Sequence, residues 1–163
     1  MMGKKLILGI LGSLLLLTGI PLWGDSQATI TVTVTIPSVI SVSVTPTSWN
    51  IGNVSLGETK STSGGYFTVT NNGNVTEDIS IVSSDSENWT VGSAAGEEVF
   101  AIKAKGGDLT DWTSIHQSQI LKSGVEMNGS VSFDLQFTAP TKTSHVDTQQ
   151  TISVTITASK TSE

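Results

Sequence analysis

Between Ala28 and Pro46 the chain reads ATITVTVTIPSVISVSVTP, a near-unbroken alternation of β-branched apolar residues with Thr and Ser. Alternation at period two puts every second side chain on one face of an extended backbone, and it does not fit the 3.6-residue period of a helix. Ile30, Val32, Val34 and Ile36 share one face and Thr29, Thr31, Thr33 and Thr35 the other. The same parity resumes after Pro37 at Ile40, Val42 and Val44. Thr29–Ile36 holds no glycine and no charge, the devices that normally keep an exposed strand from pairing with another chain. Its one guard is Pro37, at the far end.

Two readings of this arm follow. In the first, it is donated to a neighbouring subunit and completes that subunit's sheet, an association that does not close on itself and so builds a filament. In the second, Thr29–Thr45 is an ordinary first strand that crosses from one sheet to the other at Pro37.

The same period recurs along the chain. Trp49–Val54 reads as a short strand, followed by the Gly- and Ser-rich loop SLGETKSTSGG. Phe67 and Val69 begin a strand that turns at Asn72-Gly73 and returns through Val75, Ile79 and Ile81. Trp89–Val91 is short; Phe100, Ile102 and Ala104 share a face before Gly106-Gly107, and Val131, Phe133, Leu135 and Phe137 share another. Ile152, Val154, Ile156 and Ala158 close the chain. Asp108–Lys122 is the least regular stretch and reads as a helical turn or a surface excursion. Eight or nine short strands without βαβ spacing predict an all-β fold, an immunoglobulin-like antiparallel β-sandwich, with a jelly roll as the alternative. In such a sandwich the first and last strands are expected side by side.

The opening MMGKK, the apolar run Leu6–Ile20 and the polar turn at Asp25 read as a helical signal peptide, residues 1–28, cut after Ala28 or alternatively after Gly24. The apolar run is shorter than the roughly 20 residues of a bilayer span, so the chain is expected to be secreted, extracellular or at the cell surface, with no membrane contact once the leader is gone. The remaining sandwich domain, residues 29–163, has six Lys against 13 acidic groups, a net charge of about −7. It has no Arg and no basic patch, which argues against nucleic acid. It has no Cys either, so its stability has to come from a hydrophobic core alone.

WNIGNVSLGETKSTSGGYFTVTNNGNVTEDISI, from Trp49 to Ile81, and the tail from Phe133 to Ser159 resemble exported microbial immunoglobulin-like surface and stalk domains. The GNV, LGE and TNNGN elements are similar to fibre-forming subunits of the biofilm-matrix and camelysin type. The resemblance implies a structural role at the cell surface or in a matrix and carries over no catalytic residue.

Chemistry is sparse in the residues themselves. His116 and His145 are the two histidines; neither belongs to an H-E-x-x-H pair, and no G-x-S-x-G elbow is present, so no enzyme is expected and no cofactor is required. Asp85, Glu87 and Asn88 are the candidate ligands for a cation such as calcium, weighed against plain solvated loop charge. Trp112, beside Asp111 and Thr113, is the candidate glycan contact, and makes a secreted carbohydrate-binding or adhesion module the alternative function. Trp49 and Trp89 are read as core residues. Asn53, Asn74, Asn88 and Asn128 head N-x-Ser/Thr sequons and are candidate glycosylation sites. The expected partners are further copies of the chain, other surface proteins or glycans.

Overall fold

The computed structural model describes residues 27–162, so residues 1–26 of the expected leader lie outside the described residues. The chain divides into two units, Met1–Thr35 and Ile36–Glu163. Of the first, residues 27–35 are described; they form no strand and are exposed.

The second unit is a β-sandwich of ten strands in two sheets. In chain order these are β1 (Val42–Thr45), β2 (Thr59–Ser61), β3 (Phe67–Asn71), β4 (Glu77–Ser83) and β5 (Thr90–Gly92). They are followed by β6 (Val99–Gly106), β7 (Leu109–Ser114), β8 (Gln119–Val125), β9 (Ser130–Thr138) and β10 (Val154–Lys160). The first sheet runs β1-β3-β9-β6-β5, with β2 on β9 and β7 on β6; the second runs β10-β4-β8. All pairings are antiparallel except β5 with β6, which is parallel.

Alternation supplies the core. Phe67 and Val69 of β3, Phe133, Leu135 and Phe137 of β9, and Phe100, Ile102 and Ala104 of β6 face Ile79 and Ile81 of β4 and Leu121 of β8. Phe67 stacks on Phe133 with centroids 5.2 Å apart, and Phe100 lies 6.0 Å from Phe137. These inward residues are the ones the two-residue period selects.

Four expectations are corrected. Asp108–Lys122 is not an excursion: it carries β7 and the start of β8. Trp49–Val54 forms no strand, and the short β2 falls instead within the Gly- and Ser-rich stretch. Asn72-Gly73 does not close a hairpin, because β3 and β4 belong to different sheets. The first and last strands are not neighbours, since β1 pairs with β3 and β10 with β4.

The two sides of the sandwich differ. Beyond β7, Ile115 donates its N–H to Ile102 O at 3.1 Å in the first sheet, while its own carbonyl accepts from Ser83 N at 2.8 Å in the second. With Ile115 fully buried, this side is closed by backbone bonds. Tight packing continues at the β6–β7 turn, where Gly107 has φ +59° and an added Cβ would stand 2.2 Å from Leu121 O. No such stitch joins β1 to β10 among the described residues.

Candidate functional site

On the β1 and β10 side the inner faces of the two sheets open into a cleft of about 1470 Å³. Its floor is Phe133, Leu135 and Phe137 of β9; its walls are Val42 and Val44 of β1 and Val154 and Ile156 of β10. The four wall residues point inward by parity yet are only half-buried, because no further strand covers them. Trp49 and Trp89 also line the cleft and are half-buried, so they pack on the core from its open side rather than filling it.

The backbone at the two rims can be resolved bond by bond. Ser84 N donates to Ser153 O at 3.0 Å and Thr161 N to Thr76 O at 3.0 Å, both in line with the β4–β10 register. In an antiparallel ladder, hydrogen-bonded pairs alternate with non-bonded ones. Residues 153, 155, 157, 159 and 161 therefore bond to the β4 side. Val154, Ile156, Ala158 and Lys160 turn their N–H and C=O toward the free edge. At the other rim, Asn72 N donates to Ser41 O at 2.7 Å and Asn74 N to Val39 O at 3.0 Å, so Val42 and Val44 present outward groups in the same way. Each rim thus exposes peptide groups from the very residues whose side chains face the cleft.

The arm contrasts with the body. Ile30, Val32, Val34 and Ile36 are 81 to 86% exposed, and none of them lies in a strand. Strand structure along the Thr29–Thr45 stretch is confined to β1. Where the chain enters the sandwich it is clamped by Asn74, whose Oδ1 accepts from Val39 N at 2.7 Å and whose Nδ2 donates to Pro37 O at 3.0 Å. Close by, buried Glu77 accepts from Ser41 N through Oε1 at 2.9 Å, while its Oε2 has no partner.

The connection between β9 and β10 forms part of the cleft wall and is tied down by side chains. Trp89 Nε1 donates to Thr143 Oγ1 at 3.0 Å, and Gln150 Oε1 accepts from Ser86 Oγ at 3.0 Å and Asn88 N at 3.2 Å. Glu98, at φ 55°, accepts from Thr143 Oγ1, Ser144 N and Ser144 Oγ at 2.6, 2.5 and 2.7 Å. These bonds, that from Thr143 foremost, pull its pKa from the ordinary 4.5 to about 2. A depressed folded-state pKa contributes stability that is present above pH 4.5 and lost as the pH falls toward 2. The melting temperature of Glu98→Gln is accordingly expected to lie below the parent's at neutral pH, and the gap to narrow across that acid window. Thermal melts at several pH values check this; a gap that stays constant to pH 2 would refute the assignment.

The other sequence-selected residues are spread apart. Trp112 is half-buried on the regular strand β7, away from the cleft lining, with neighbouring Thr113 Oγ1 bonded to Asp111 O. Asp85 accepts from Val91 N at 2.7 Å and so closes a local turn, Glu87 is exposed, and Asn88 gives its N–H to Gln150. Among the described residues no three His, Asp or Glu side chains gather as metal ligands. His116 Nδ1 pairs with Ser114 Oγ at 2.9 Å; His145 lines the cleft. Of the sequon residues, Asn53, Asn74 and Asn128 are exposed and Asn88 is half-buried. No helix of the described residues is long and apolar enough to cross a membrane.

The structural importance of Asn71, Asn74 and Glu98 was not visible in the sequence. The only signal was the density of Asn in TNNGN, which read as a turn. Compared with protein-family models, curated proteins and solved structures, the chain matches none.

Proposed function

We propose that this chain is an exported structural protein of the cell surface or extracellular matrix whose copies associate by β-strand donation from Thr29–Ile36. The observation that carries this reading is the state of the arm: four β-branched side chains at two-residue spacing, uncharged and exposed, joined to a folded sandwich. Full burial of one such side chain is worth about 1.5–3 kcal/mol, so an arm left in water forgoes several times that. Pairing with another chain recovers it.

The test compares the chain starting at Thr29 with one starting at Ser38, by size-exclusion chromatography and negative-stain microscopy. The longer form is expected as oligomers or fibres and the shorter as a folded monomer, with circular dichroism reporting the fold. A monomeric longer form, with unfolding on truncation, would make Thr29–Ile36 a strand of its own domain and end the proposal.

A further inference from the structure

We infer that the acceptor is the free edge of β10 in a second copy of the chain, with the Thr29–Ile36 arm running along it as an added strand and its apolar side chains entering the cleft. This rests on the strand-donation reading above and adds to it the site, the partner and the parity.

Three matches single out β10. The first is length: at about 3.3 Å per residue the eight-residue arm spans roughly 26 Å and β10 roughly 23 Å, whereas β1 offers only about 13 Å. The second is hydrogen bonding. Val154, Ile156, Ala158 and Lys160 present four outward peptide groups, while β1 presents those of Val42 and Val44 and then reaches Pro46, which has no N–H. The third is facing. When Ile30, Val32, Val34 and Ile36 point into the cleft beside Val154 and Ile156, the remaining arm residues are all Thr, and they continue the exposed Thr155, Thr157 and Ser159 of β10. A register slip of one residue would reverse both faces, so the pairing specifies its own parity.

The occupant is another copy because a single copy leaves all four arm side chains exposed and its own cleft walls half-buried. The guards are complementary too. Pro37 ends the arm and Lys160 ends the accepting strand, so neither segment carries a blocking residue along the stretch that pairs.

The experiment uses two variants of the chain starting at Thr29. Val32→Lys with Val34→Lys disables the arm and leaves the edge intact. Ala158→Pro removes one outward N–H without breaking a β4–β10 bond, leaving the arm intact; Ile156→Lys is a second edge variant should the proline disturb folding. Circular dichroism and thermal melts confirm each fold. Light scattering is expected to show each variant alone as a monomer, and an equal mixture as a species of two chains that grows no further. One good arm then meets one good edge. In that pair, amide exchange at Ile156 and Ala158 in the arm-disabled copy is expected to slow by roughly tenfold or more, with Val42 and Val44 unchanged.

If a folded edge variant assembles as the parent does, or if protection appears at Val42 and Val44 instead, the β10 site is overturned while strand donation stands. If folded variants stay monomeric when mixed, one-arm-to-one-edge pairing is overturned. A parent chain that never assembles overturns both readings.

Discussion

Replacing Asn71 with Ala is expected to destabilise the sandwich by about 3–5 kcal/mol, a large share of the roughly 5–15 kcal/mol that holds a domain of this size together. Asn71 is fully buried, and three of its bonds are made by the side chain. Its Nδ2 donates to Val75 O at 2.8 Å and to Val125 O at 2.9 Å; its Oδ1 accepts from Gly73 N at 2.7 Å. Its backbone carries two more, accepting from Asn128 N and donating to Gly129 O. Asn71 therefore sits where two of the inter-sheet crossings, β3 to β4 and β8 to β9, meet at one end of the sandwich. Alanine would leave one N–H and two carbonyls without partners, each costing about 1–3 kcal/mol where water is excluded. Urea unfolding read by tryptophan fluorescence measures the loss; a change below about 1 kcal/mol would show that water reaches these groups.

Phe100→Ala is the second large effect, an expected loss of about 3–5 kcal/mol from transfer and cavity terms together. Phe100 is fully buried on β6, against Phe137 and opposite Val91 in the parallel β5 pairing. Ile30→Ala on the arm is the control: in the monomer it should change stability by less than about 0.5 kcal/mol, because Ile30 is exposed. The same denaturant curves decide both, and equal losses for the two variants would contradict the burial assigned here.

How far this could be read from the residues depends on which interaction decided each element. β9 and β10 were legible because their alternation is set by a drier and a wetter face, and burial follows that parity along them; in β6 the predicted Phe100, Ile102 and Ala104 are buried, with Ala101 buried as well. β7 was not: Leu109, Asp111 and Trp112 give no clean alternation, and the strand is held by the β6 ladder and by backbone bonds around Ile115. Asn72-Gly73 announced the end of β3, and the chain bends at 73–75, but such a signal does not say which sheet the next strand joins. Asn71 decides that through contacts more than 50 residues away, among them Val125. The alternation of the arm stated that the segment wants a strand partner and left open whose. The cleft was invisible beforehand because it is made by two edges, Val42–Thr45 and Val154–Lys160, that lie far apart in the chain.

The composition of the arm also governs how it can be lost. From Leu6 to Glu58 there is neither Lys nor Arg, so a protease that requires a basic residue has no cleavage site in the arm, in β1 or in the Trp49–Val54 segment. Digestion by such an enzyme leaves the arm joined to the sandwich as far as Lys60, whose ammonium pairs with Glu58 beside the β2–β9 ladder. An enzyme that accepts Val or Ile meets the opposite situation, a segment outside any strand with Ile30, Val32, Val34 and Ile36 presented to solvent. The durability of this segment is thus set by which class of protease surrounds it.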